Sequence, residues 1–247
     1  MARTVASSDM ADSLERLADD IAACRRCPRL VDWREQVATE KRAAYRDETY
    51  WGRGVPGFGD PDARVLVLGL APAAHGANRT GRVFTGDRSG DWLFRSLHRA
   101  GAANQPSSTA VGDGLELSGV WIAAAVRCAP PANKPEPAEQ QACLPFLHRE
   151  LALLGRLRSI LVLGQFAYDV VRRDLATAVG GSSGGSRVAV RFPKFGHGVE
   201  AETVLVDGRS LAVVCSFHPS QQNTFTGKLT QPMFDAVVSR VLTLSER

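Results

Sequence analysis

Apolar positions along the chain follow two rhythms. Unbroken apolar runs at Arg64–Leu70, Val120–Val126, Ile160–Leu163 and Leu211–Cys215 have the length and composition of strands buried on both faces. Between them, apolar residues recur at helical spacing. Ser13–Ala23 puts Leu14, Leu17, Ile21 and Ala22 on one face, and Asp91–Ala100 does the same with Trp92, Leu93, Phe94 and Leu97. Further helices are predicted over Ala138–Leu154 and Gln165–Ala176, and from Gln231 to the end. Tyr50–Pro61, rich in Gly and Pro, reads as an irregular loop, Ala129–Pro137 as a proline-rich one and Gly180–Ser186 as a short flexible one. Val188–Phe192 and Thr203–Val206 read as additional strands. The alternation, with no internal repeat, predicts one α/β domain over residues 1–247 with a mostly parallel sheet covered on both faces. Such sheets carry their sites in the loops after the strands' carboxyl ends, here after Leu70, Val126 and Cys215.

Composition changes this picture little. In 247 residues, 44% hydrophobic and 23% charged match an ordinary globular protein and exclude a chain dominated by disorder. The first residues, MARTVASSDMADS, lack the apolar core of a leader, and no run of about 18 apolar residues could span a bilayer. The expectation is a cytoplasmic protein with no membrane contact. A net charge of +4 and a pI near 9.0 permit a polyanionic partner without requiring one.

Five cysteines in a reducing compartment read first as metal ligands or redox groups. Cys24-Arg25-Arg26-Cys27-Pro28 is a CxxC just past the first helix, and Cys128 and Cys143 lie far downstream. A thioredoxin-like pair should open a helix after a strand, whereas this one closes a helix. Two pairs from distant segments can converge on one centre, and spacing leaves structural zinc and a four-iron cluster both open, beside incidental thiols. Cys215 ends an apolar strand and reads as a buried small residue. Gly52-Arg53-Gly54-Val55-Pro56-Gly57 satisfies GxGxxG but precedes a strand, so it is no dinucleotide fingerprint, and no GxxxxGK[ST] is present. The compact CxxxCxxC of radical enzymes is also missing.

Two loops carry the remaining signal, Gly69-Leu-Ala-Pro-Ala-Ala-His-Gly-Ala-Asn-Arg-Thr-Gly-Arg-Val-Phe-Thr-Gly-Asp87 and His218-Pro-Ser-Gln-Gln-Asn223. With the four cysteines and Val126-Arg-Cys-Ala-Pro-Pro-Ala-Asn133-Lys-Pro, they resemble the family 5 uracil-DNA glycosylases over nearly the whole chain. The resemblance implies a three-layer α/β/α sandwich and a structural 4Fe-4S cluster held by Cys24, Cys27, Cys128 and Cys143. It also implies a hydrolase that takes uracil from single- or double-stranded DNA and leaves an abasic site; no lysine nucleophile stands out, so a monofunctional enzyme is expected, and a monomer.

Cleaving an N-glycosidic bond builds positive charge on the sugar and negative charge on the departing base, so a site needs donors at the base and a carboxylate or oriented water near the sugar. Under the resemblance, His218 supplies a donor, and the turn after Gly69 adds backbone amides that Ala71 and Ala73 leave uncovered. Phe84 offers a stacking face for a flipped base. Asp87 positions water or stabilises the oxocarbenium-like sugar, with Asn133 as its polar partner; the plainer readings are a helix N-cap for Asp87 and a satisfied loop histidine for His218. His75 is less certain, and His98, His148 and His197 carry no motif. The Ser220–Lys228 loop is placed to enter the space a flipped nucleotide vacates, with Arg79, Arg82, Lys134 and Lys228 available to phosphates.

Two departures stand out. Leu70 and Ala71 occupy the positions where related branches carry their water-activating Glu, Asp or Asn, and Ala124 stands where many carry the Asn that reads the uracil edge. Small apolar residues there predict a wider pocket that also admits deaminated purines such as hypoxanthine. The rival from another class is a non-catalytic four-cysteine zinc protein that binds nucleic acid.

Overall fold

A computed structural model describes residues 12–175, 192–205 and 207–247. The strands are β1 (Phe58–Gly59), β2 (Val65–Gly69), β3 (Val120–Ala124), β4 (Ser159–Leu163), β5 (Glu200–Val204) and β6 (Ser210–Ser216). The helices are α1 (Leu14–Ala23), α2 (Pro28–Glu40), α3 (Ala77–Thr80), α4 (Arg88–Arg99), α5 (Pro137–Leu153), α6 (Gln165–Val170), α7 (Gln221–Phe225) and α8 (Gln231–Ser245). A π-helical turn, Val171–Leu175, extends α6. The strands form one sheet in the order β1-β3-β2-β4-β6-β5, parallel across its four central members and antiparallel at both edges.

Alternation along the strands divides the core into two layers. Val65, Val67, Ile122, Leu161 and Val214 pack against Leu93, Phe94 and Leu97 of α4 and Phe234, Val238 and Val241 of α8. Leu66, Leu68, Ala123, Val162 and Val213 face the other way, onto Leu147 and Leu151 of α5 and Ala167 and Tyr168 of α6. Helices on both faces of a mostly parallel sheet make the expected α/β/α sandwich. Among the described residues, no helix is long and apolar enough to cross a membrane.

Local chemistry explains where the elements differ from the periodicity. Helix α4 begins at Arg88, three residues ahead of the predicted start, because the Asp87 carboxylate accepts from the Gly90 amide at 3.0 Å and caps the extra turn. Helix α2, which the apolar pattern did not reveal, starts with Pro28 at its first turn, where a missing N–H costs nothing. The Tyr50–Pro61 loop hides the two-residue edge strand β1. Strands β5 and β6 replace the predicted Thr203–Val206 and Leu211–Cys215 with slightly shifted bounds. Gly180–Ser186 and most of Val188–Phe192 lie outside the described residues; Phe192 itself is not in a strand.

Candidate functional site

The carboxyl ends of β2, β4 and β6 bring the two motif loops together. Gly69 ends β2, Gly164 follows β4, and Ser216 ends β6 two residues before His218. Each glycine makes room for a site side chain. A Cβ on Gly69 would lie 2.7 Å from the Phe84 ring, one on Gly76 would lie 2.5 Å from Asp87 Oδ2, and one on Gly164 (φ +94°) would meet the His218 Cβ at 3.3 Å. Phe84 and His218 face one another in a near-parallel stack, with centroids 6.0 Å apart and planes at 29°. Phe84 holds a left-handed backbone conformation (φ 55°), which an aromatic residue adopts only when its surroundings impose it.

His218 is half-buried, and loss of hydration pushes its pKa down to about 4, so the imidazole is neutral at physiological pH. Asn223 of α7 donates to the His218 carbonyl at 2.8 Å and fixes that loop. Burial raises the Asp87 pKa above its ordinary value, although the amides of Gly90 and Ser89 pull it down. Asp87 is therefore an N-cap, as the plainer reading held, and still directs its second oxygen at Gly76 in the first motif loop. Among the described residues, the amides of Ala71, Ala73 and His75 find no protein acceptor. His75 accepts or donates through Nδ1 to the Tyr50 hydroxyl at 3.1 Å, and burial lowers its pKa, followed by the charges of Arg42 and Arg79.

Several expectations are corrected. Asn133 is exposed, in the left-handed region (φ 55°) after Ala132 (φ 52°), and makes no side-chain hydrogen bond with Asp87. The cause is the 3-10 turn Pro131–Asn133, which turns the segment outward; two adjacent residues in this strained region mark the loop as constrained. Arg82 does not face phosphates: it is 8% exposed, paired with Asp113 at 2.7 Å, bonded to Ser108 and Thr85, and stacked on Phe58. Arg79 is likewise engaged, with Glu48, the His75 and Gly86 carbonyls and the Tyr45 ring. Lys134 and Lys228 remain exposed, Lys228 with its ammonium over Phe217.

The loop after β6 presents Phe225, 68% exposed, with the Arg88 guanidinium 4.3 Å from its ring centroid. That contact joins the second motif loop to the first, because Arg88 follows Asp87 directly. His197, which carried no sequence signal, donates from Nε2 to the Met233 carbonyl (3.2 Å) and accepts at Nδ1 from the Phe217 amide (3.4 Å). In that tautomer it supports the backbone next to His218.

The four cysteines line one pocket beside this site, together with Leu30, Val31, Arg127 and Phe146. Cys24 and Cys27 arrive from the α1–α2 junction, Cys128 from the loop after β3 and Cys143 from α5. Among the described residues no three His, Cys, Asp or Glu side chains are arranged to hold a single metal ion. Donors nevertheless point at the sulfurs. Arg34 Nη1 reaches Cys128 Sγ at 2.9 Å and the Arg127 amide reaches Cys143 Sγ at 3.2 Å. Burial raises the Cys27 and Cys128 thiols and pushes Cys143 to about 12. Four sulfurs around an apolar pocket, with donors on two of them and no carboxylate lining it, fit a thiolate-held metal cluster better than a lone hard cation. Cys215 is fully buried in β6, far up at about 12, and has only packing to do.

The α/β/α sandwich is a fold shared with known proteins. The model of the Uracil DNA glycosylase superfamily matches residues 56–242, from the loop before β1 into α8, and so defines the class. Type-5 uracil-DNA glycosylases from Mycobacterium tuberculosis, Mycobacterium leprae and Thermus thermophilus are 51%, 50% and 49% identical to it. The alignments cover 88%, 92% and 89% of this chain and 76%, 93% and 93% of those proteins. The chain belongs to the type-5 uracil-DNA glycosylase family.

Proposed function

We propose that this protein hydrolyses the N-glycosidic bond of uracil in DNA and leaves an abasic site for base-excision repair. The observation that carries the reading is the Phe84–His218 stack at the carboxyl end of the sheet, between loops that also carry Asp87 and the unsatisfied amides of Ala71 and Ala73. A flipped base stacks on Phe84. Neutral His218 donates a hydrogen bond to the base oxygen where charge accumulates, and the amides of Ala71 and Ala73 add fixed donors that need no reorganisation. Asp87 holds the water or offsets the sugar's positive charge with the oxygen that does not cap α4. In this reading the abasic product is released uncut.

Cys24, Cys27, Cys128 and Cys143 hold a 4Fe-4S cluster in this reading, and the cluster supplies cross-linking rather than chemistry. Those residues tie the N-terminal helices to the loop of Asn133, whose side chain serves substrate rather than Asp87. Phe225, exposed on α7, enters the gap left by the flipped nucleotide, and Lys134 and Lys228 meet phosphates. Ala124, 1% exposed and in register with Gly69, puts no polar side chain at the end of β3 to demand the uracil edge, so hypoxanthine is also released.

Uracil release from single- and double-stranded oligonucleotides tests the reading. Asp87→Ala should slow release about 10²- to 10⁴-fold and His218→Ala about 10²- to 10³-fold, with iron content retained. Wild-type rates in both variants sink the catalytic assignment, and an intact hypoxanthine duplex beside released uracil sinks the wider specificity. Colourless, zinc-containing protein with no base release returns the case to a non-catalytic zinc module, which the glycosylase relatives do not favour.

A further inference from the structure

Arg34 sits on α2 and is 1% exposed, yet no carboxylate oxygen lies within 4 Å of it among the described residues. The other fully buried arginine, Arg127, shows what the protein does elsewhere: it is neutralised by Glu150, itself 1% exposed, which also accepts from Trp121. An isolated buried guanidinium costs several kcal/mol, on the order of the penalty for any uncompensated buried ion, so a counter-charge is required. Arg34 directs one nitrogen at Cys128 Sγ (2.9 Å) and another at the Cys24 carbonyl (2.9 Å), and its Nε has no partner. The remaining charges around the pocket are spoken for or outward. Glu139 pairs with Arg29, Arg25 with Glu35, and Arg26 stacks on Phe146.

We propose that Arg34 is the charge partner and positioning residue of the four-cysteine centre, bridging the ligand from the loop after β3 to the CxxC segment. The inference rests on the iron–sulfur reading of those cysteines. Four thiolates around a 4Fe-4S core carry net negative charge, which supplies the missing counter-ion, while the guanidinium donates to one ligand sulfur and pins the backbone of another. A cation at that distance favours the more negative, reduced form, so it raises the reduction potential and slows ligand loss. Its carbonyl accepts from Asn78 Nδ2 at 3.1 Å, and Asn78 lies in the first motif loop, so the same residue links the centre to the catalytic side.

The test uses anaerobically purified full-length protein in four forms: wild type, Arg34→Lys, Arg34→Gln and Arg34→Met. Iron and acid-labile sulfide per chain, the rate of iron loss to a chelator, the midpoint potential and far-UV circular dichroism are measured. Gln and Met should lose iron about 10- to 100-fold faster than wild type and show a lower potential with an unchanged dichroism spectrum. Lys, which keeps the charge but not the fork, should restore the potential and only part of the retention. If Met does not fold, Gln carries the comparison. A full cluster whose potential and iron loss are the same in wild type and Gln overturns the role of Arg34 alone. Wild-type protein without iron and sulfide overturns the iron–sulfur reading and this inference together.

Discussion

Burial pushes the His218 imidazole to about 4, below its ordinary value of 6.5, so it is neutral in the folded protein from about pH 5 upward. The unfolded chain then binds more protons between pH 6.5 and 4, and the stability contributed by neutral His218 is lost as pH falls through that window. Melting temperature should therefore drop more steeply on acidification in wild type than in His218→Gln. Base release follows Asp87 instead. Burial raises its pKa above the usual carboxylate range, so the rate should climb with pH as it ionises. An Asp87→Asn profile that keeps the same acid limb would assign the titration to another group. Gly164 makes a sharper test of positioning. At φ +94° and 3.3 Å from the His218 Cβ, an alanine is both strained and crowded, at a cost of about 1–3 kcal/mol. Gly164→Ala should lower the rate of release while the far-UV circular dichroism spectrum stays that of wild type.

Among the elements, the four central strands were legible because two-sided burial leaves continuous apolar runs, and β2, β3, β4 and β6 all fall within or against the expected segments. The start of α4 was not legible, because a cap is decided by the geometry of one carboxylate and not by the apolar stripe. Helix α2 escaped for a related reason. Its buried positions include Arg34, so a charged residue stands where periodicity expects an apolar one. The short helix α7 turns the loop after β6 into a presenter of Phe225, backed by Arg88. Phe225→Ala should slow uracil release from duplex DNA by about 10-fold or more and leave single-stranded substrate nearly unaffected, since only a paired base leaves a gap to fill. Equal losses on both substrates would make Phe225 a loop-packing residue instead.

Across the whole molecule, the cysteine pocket joins segments more than 100 residues apart, from the α1–α2 junction to α5. If the four cysteines hold the proposed cluster, removing its iron with a chelator, or Cys128→Ala, should lower the melting temperature and loosen residues 12–40 to proteolysis before the sheet opens, because that layer holds to the rest through the Leu17, Ile21, Leu30 and Phe146 cluster beside the sulfurs. Unchanged proteolysis of that segment would show the helices docked by packing alone. The chain's sequence by itself determined the alternation of elements, the sheet's two buried faces and the residue types of both motif loops, because these depend on local periodicity and composition. Only the tertiary structure decided which of those residues meet. It stacked Phe84 on His218, gave Asp87 to a helix cap, kept Asn133 away from it, buried Arg82 on Asp113 and set Arg34 against Cys128. The physical reason is that burial and pairing are properties of the space between elements: desolvation, counter-charge and close backbone approach exist only once distant segments have been brought to the same place.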